Sequence, residues 1–169
     1  LRGDGAWSFT VMFLQMWGFL TKQTEPCEQY LPEKTVSIPE ASGWVQPFCD
    51  SPMDEFSVGE HTYRHLIAAA KNYVYITSPY LMVDNDLIST LKLAAESGVD
   101  VRIITPRKPD KKIVHFTTRS YYRELLHSGV RIFEYSEGFI HSKNFVVDDR
   151  FGSVGTVNLD FRSLYMHFE

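Results

Sequence analysis

The sequence is poor in cysteine, in net positive charge and in long apolar runs, and each shortage excludes something. Cys27 and Cys49 are the only cysteines in 169 residues, and neither stands in a C-x-x-C pair or at a Cys/His ligand spacing. They read as reduced thiols of a cytosolic protein, with no metal site and no cofactor expected. Seventeen Lys and Arg against 21 Asp and Glu leave a net charge of −4. That balance argues against a general nucleic-acid binder, whose footprint is a strongly basic domain. Any anionic ligand must then be met by local cations. Residues 6–20 (AWSFTVMFLQMWGFL) are strongly apolar, but fifteen residues rise only about 22 Å against the ~30 Å of a hydrocarbon core, so a buried helix is expected rather than a span. No coiled coil, low-complexity segment, signal peptide or initiating Met is present, and the abrupt start at Leu1-Arg2-Gly3 reads as a piece of a longer chain. What is there, 44% hydrophobic and 14% aromatic, suffices for one domain that buries roughly 70% of its unfolded surface.

Residues 21–43 carry Pro26, Pro32 and Pro39 among Glu25, Glu28, Glu33 and Glu40 without sustained periodicity, which predicts a connecting loop and a boundary before residue 44. A short strand is expected from Trp44. A helix follows over about 56–71, where Tyr63, Leu66, Ile67 and Ala70 fall at i, i+3, i+4 and i+7. Residues 73–77 form a β-rich strand broken by Ser78-Pro79, and 84–97 a helix with Leu87, Ile88, Leu91 and Ala95 inward and Gly98 as its stop. The design repeats as strand 99–105, helix 111–128 and strand 130–135, with matching Ser-Gly-Val joints at 97–99 and 128–130. Alternating strands and helices predict an α/β fold, a largely parallel sheet flanked by helices on both faces.

Residues 139–169 carry the chemistry. In an extended segment His141 and Lys143 share a face while Ser142 points away, setting an imidazole beside an ammonium. Phe145, Val146 and Val147 favour a buried strand, 148–152 reads as a turn, and a strand returns over 153–157, making the sheet mixed. Gly155 permits close backbone approach to a ligand, and Thr156 and Asn158 can donate to phosphoryl oxygens. A phosphodiester is an anionic, reluctant electrophile, so transfer gains from a covalent intermediate on a histidine nucleophile, with cations and amides holding the non-bridging oxygens. Asp148, at an odd offset from Lys143, is expected to fix the turn rather than to act on phosphorus. His61, His65, His115 and His127 read as surface or capping histidines of helices. The run Arg107-Lys108-Pro109-Asp110-Lys111-Lys112 fits acidic lipid headgroups and a solvated loop equally well, and Arg119 is placed to line a headgroup pocket.

His141, Lys143 and Asp148 spell H-x-K-x4-D, and Gly155, Thr156 and Asn158 spell G-T-x-N, so the segment resembles the H-K-D motif of the phospholipase D superfamily. YITSPY, GVDVRIITP, RSYYRELL, GVRIFEY and VGTVNLDFRSLY are similar to the C-terminal half of bacterial cardiolipin synthases, over roughly the whole chain and weakest between residues 21 and 43. The resemblance implies a phospholipase D-like fold, with 1–20 a helix closing a first half absent from this sequence, 21–43 a linker and 44–169 the catalytic half-domain. It implies a phosphatidyltransferase that condenses two phosphatidylglycerols through phosphohistidine. His141, Lys143, Asp148 and Glu169 would be catalytic, and Lys143, Thr156 and Asn158 would bind phosphate. Glu169, by its spacing from Asn158, matches the carboxylate that orients the histidine. His167 departs from the Asn usual there, and Glu169, as the last residue, is expected to fray. The second motif would lie in the other half-domain, across a pseudo-twofold axis. Implied partners are phosphatidylglycerol, the membrane surface and that half-domain, with no nucleic acid. The whole protein would be membrane-associated, on the cytoplasmic face, and this piece soluble, folded and inactive as a monomer. Two alternatives stay open: a phospholipase D or nuclease acting on another phosphodiester, and a lipid-binding or assembly module without turnover.

Overall fold

The computed structural model describes residues 3–31, 43–53 and 55–169. Pro32, Glu33, Pro39 and Glu40 of the expected loop lie outside the described residues. The chain divides into two compact units, Leu1–Cys49 and Asp50–Glu169.

In the first unit, α1 (Gly5–Thr21) ends on Lys22 in the left-handed conformation, φ 55°. Its expected burial is not found. None of its residues is buried, and Phe9, Phe13, Trp17, Phe19 and Leu20 are exposed. Apolarity makes a helix ready for burial, but burial needs a complementary surface, and among the described residues α1 meets little more than itself, where Phe13 stacks on Trp17 at 6.1 Å, and the turn at Cys27–Tyr30. Among the described residues no helix is long and apolar enough to cross a membrane. Among the described residues of the expected loop, Cys27–Tyr30 forms a 3-10 turn. The strand expected from Trp44 does not form either, and Trp44 is exposed. A strand exists only where its backbone finds an edge to pair with, and Pro47 removes a donor.

The second unit is built on a five-stranded mixed sheet of β1 (Tyr73–Thr77), β3 (Asp100–Pro106), β4 (Arg131–Tyr135), β5 (Asn144–Val147) and β6 (Phe151–Val154), in the order β4-β3-β1-β5-β6. β1, β3 and β4 are parallel, β5 runs antiparallel to β1, and β6 returns antiparallel to β5. Alternation sets the core. Val74, Ile76, Val101, Ile103, Phe145 and Val147 are buried on the face that contacts α2 (Val58–Ala69), α3 (Asn85–Glu96) and α5 (Tyr122–His127). On the opposite face Tyr73 stacks on Tyr75 at 4.5 Å, Arg102 lies over the Tyr75 ring at 4.6 Å, and Phe133 and Val146 are exposed.

Caps place the helices. Ser57 accepts from the Glu60 amide at the start of α2, and the buried Asp50 carboxylate accepts from the Gly59 amide at 2.7 Å. Asp84 caps α3 in the same way. Gly98 and Gly129, at φ 94° and 92°, take the left-handed turn into the next strand. The helix expected over 111–128 is broken into α4 (Lys112–Ser120) and α5 around Tyr121. The break has a local and a distant cause: the Thr117 and Ser120 hydroxyls bond the carbonyls of Ile113 and Thr117, while the Thr118 hydroxyl turns inward and accepts from the Leu81 amide at 3.2 Å. That last bond seats α4 on β2 (Leu81–Met82), which pairs in parallel with β7 (Leu159–Asp160) as a second small sheet. The turn between β5 and β6 is tighter than expected. Asp148 and Asp149 both take positive φ, 51° and 54°, and Arg150 donates back to the Val147 carbonyl, the geometry of a type I′ hairpin.

Candidate active site

The parallel strands β1 and β3 deliver their C-terminal ends where β5 begins, since Thr77 pairs with both Ile104 and Asn144. His141 and Lys143 lie in the lead-in to β5, and α/β sheets bind ligands beyond that edge. Lys143 is only 7% exposed, yet its Nζ lies 3.1 Å from both ring nitrogens of His141 and donates to the His141 carbonyl at 2.7 Å. The His141 ring is exposed and stacks on Phe139 at 5.7 Å. Burial pushes the Lys143 pKa below the ordinary lysine value, while the charges of Glu169 and Asp160 act in the opposite direction. The result is a desolvated cation beside an accessible imidazole, an arrangement suited to an incoming anion.

The returning strand is tied to that pair. The Gly155 amide donates to the Lys143 carbonyl at 3.4 Å. A Cβ on Gly155 would meet nothing within 4 Å, so the fold alone does not require glycine there and the surface is open to a ligand. Strand pairing stops at Val154, short of the expected 157, and Thr156 is exposed on the loop beyond. Val157 is held from beneath: the buried Tyr63 hydroxyl donates to its carbonyl at 2.7 Å, and the Tyr63 ring stacks on Phe145 at 4.2 Å. Asn158 Nδ2 donates to Ser163 Oγ at 2.9 Å, and its buried Oδ1 has no partner among the described residues. Asp160 caps α6 (Phe161–Tyr165) by accepting from the Ser163 amide at 2.8 Å.

Glu169 does not fray. Its amide and carbonyl both pair with Asp50, at 3.1 and 2.9 Å. Its charge reaches Lys143 and Tyr63, but its carboxylate lies 3.8 Å from His167 Nδ1, and no hydrogen bond joins it to His141 among the described residues. Asp148 is not brought to the site. It sits at the far end of β5, where its carboxylate accepts from the amides of Lys71, Asn72 and Tyr73 at 2.7, 2.9 and 2.8 Å. The bonds from Tyr73 and Lys71 hold its pKa below the usual carboxylate range. It anchors the turn, as its offset implies, rather than touching a reacting group.

Four supporting residues escaped the sequence reading. Tyr63 was one more apolar position on a helical stripe. Asp160 and Ser163 signal only as a D-x-x-S cap, and Asp50 pairs with Glu169 at the far end of the sequence as well as with the nearby Gly59.

Residues 63–169 match the family described as cardiolipin synthase, PLD-like domain. Over the whole chain, similarity reaches 47% identity to an uncharacterized protein of Streptococcus mutans, 42% to a cardiolipin synthase of Geobacillus and 41% to cardiolipin synthase 2 of Bacillus anthracis. The chain spans about a third of the length of these relatives, 36, 34 and 33%. The crystal structure of Nuc, a phospholipase D family member from Salmonella typhimurium, superposes with a TM-score of 0.58 at 18% identity, over 66% of this chain and 72% of that one, which shows a shared fold. By a family match over more than half its residues, this chain belongs to the phospholipase D-like cardiolipin synthase family.

Proposed function

We propose that this chain supplies one of the two H-K-D halves of a phosphatidyltransferase active site, which joins two phosphatidylglycerols into cardiolipin and glycerol. A His141 ring nitrogen attacks phosphorus, and the bond to the headgroup glycerol oxygen breaks. The leaving alkoxide takes a proton from the histidine of the second motif, in the half outside this sequence. A hydroxyl of the second phosphatidylglycerol then gives its proton to that second histidine as its oxygen attacks phosphorus, the P–N bond breaks, and both histidines are restored. The observation that carries this reading is the His141–Lys143 pair, an exposed imidazole with a buried ammonium 3.1 Å from its ring nitrogens. An ammonium only donates, so it takes no proton from His141 and is available to a phosphoryl oxygen.

Asn158 and Thr156 complete the phosphate cradle. Ser163 can donate as well as accept, so half a turn of the Asn158 amide keeps that bond and sets N–H groups where the unpartnered oxygen now lies. Glu169 serves as the orienting carboxylate, accepting from His141 once phosphate draws Lys143 off the ring. Its paired backbone and its charge on Lys143 support that role. The catalytic set is therefore His141, Lys143 and Glu169, with Asp148 left to the turn, and the piece alone is inactive as a monomer because one histidine cannot serve as both nucleophile and leaving-group acid.

The test is made in the longer enzyme carrying both motifs, on vesicles of labelled phosphatidylglycerol. His141→Ala is expected to abolish cardiolipin formation with an unchanged melting temperature, and Lys143→Ala to disable it as well. Near wild-type transfer by purified His141→Ala overturns the assignment. Phosphatidic acid as the only lipid product identifies a hydrolase and overturns the transferase.

A further inference from the structure

The parallel strands β1, β3 and β4 end at Thr77, Pro106 and Tyr135, and β5 starts opposite Thr77, so the loop after β3 and the segment leading to His141 leave the same edge of the sheet. The Arg107 amide donates to the Tyr135 carbonyl at 2.9 Å, tying the β3–α4 loop to the β4–β5 loop. Between residues 107 and 112 the chain carries Arg107, Lys108, Lys111 and Lys112 against Asp110 alone, four cations less one anion, although the whole protein is net −4. The lone acid is already engaged within the protein: Asp110, itself exposed, accepts from the Tyr80 hydroxyl at 2.6 Å and from the Lys111 amide at 2.7 Å.

The first turn of α4 adds apolar groups. Ile113 and Phe116, at i and i+3 on one side of the helix, are 81% and 69% exposed. The other side is engaged, with Thr118 buried on Leu81. A helix with bulky apolar groups outward and lysines at its flank suits the boundary between anionic headgroups and acyl chains. Charge complementarity selects the occupant.

We propose that the outer face of the α4 start, Ile113 and Phe116 with Arg107, Lys108, Lys111 and Lys112, docks on an anionic lipid surface and sets the His141 edge against the bilayer that holds the substrate. This deepens the lipid-transfer reading by naming the docking face. Binding and turnover fail separately, so the two can be told apart.

The experiment measures sedimentation of the purified chain with phosphatidylglycerol/phosphatidylcholine vesicles and with phosphatidylcholine alone. Selective binding to the anionic vesicles, weakened by salt, is expected. Each cation near such a surface is worth roughly fivefold in binding, so K111E/K112E is expected to cost about 25-fold or more. I113S/F116S is expected to cost roughly tenfold, and H141A nothing. In the longer enzyme both double variants should retain turnover of a short-chain phosphatidylglycerol below its critical micelle concentration and lose turnover on vesicles. Undiminished vesicle binding by both variants, equal binding to neutral and anionic vesicles, or equal loss on the monomeric substrate overturns the docking face. So does a concentration-dependent dimer that I113S/F116S abolishes in a chain that binds no vesicles. Selective binding lost in both variants upholds the face even if no cardiolipin is made.

Discussion

Tyr63→Phe deletes one oxygen from the floor of the site. The ring keeps its stacking on Phe145 at 4.2 Å, so neither volume nor apolar contact changes. What is lost is the 2.7 Å bond from the Tyr63 hydroxyl to the Val157 carbonyl. Tyr63 and Val157 are 1% and 4% exposed, so water does not replace the missing donor. A buried carbonyl left without its donor costs about 1–2 kcal/mol. The unit spans residues 50–169, 120 residues (169 − 49), for which the unfolding entropy is about 0.25 kcal/mol/K. The melting temperature should therefore fall by about 4–8 °C. Differential scanning calorimetry of the two proteins at pH 7 measures the shift. A melting temperature within about 1 °C of the parent would refute the claim that this bond pins the 155–158 segment beneath the proposed phosphate cradle.

Four further outcomes are expected. Gly59→Ala should destabilise the same unit by about 1–3 kcal/mol in urea titrations, because its Cβ would sit 3.0 Å from Asp50 Oδ2 and 3.2 Å from Val157 Cγ1. Gly155→Ala, with nothing within 4 Å of its Cβ, should leave melting unchanged and lower turnover in the longer enzyme, and full turnover would remove Gly155 from the phosphate site. Asp148 has a depressed folded-state pKa, so its stabilisation is complete above the ordinary carboxylate value and is lost as pH falls through the folded one. Asp148→Asn should thus be less stable at pH 7 and lose less on acidification, and parallel stability–pH curves would contradict the anchoring role. The lowered Lys143 pKa means that its charge, and with it anion affinity, is lost on the alkaline side before an ordinary lysine would titrate. Lys143→Arg should move that alkaline limb upward in phosphate-binding titrations, since guanidinium stays protonated, and an unmoved limb would place the titration elsewhere.

The five strands of the main sheet and most of the helices were legible because their signals are local, whereas the short β2–β7 pair was not. Alternation in 73–77 and the 3.6-residue stripes of α2 and α3 need only neighbours within a few residues. The Gly stops at 98 and 129 and the spaced His141, Lys143, Gly155, Thr156 and Asn158 are also short-range patterns. The residues by themselves therefore determined the mixed α/β class and set Lys143 beside His141.

Only tertiary structure decided what depends on distant partners. The apolar sequence of α1 specified a helix, but burial also needs an apposed surface, which no local pattern encodes. The α4–α5 break turns on Thr118 finding Leu81, 37 residues away, and the anchoring of Asp148 on the Lys71 amide, 77 residues away. Tyr63 reaches Val157 across 94 residues. Spacing placed Lys143 beside His141, but its burial, and hence its lowered pKa, follows from the whole unit closing around it. Desolvation is a sum over everything nearby in space, so it exists only once the chain has folded.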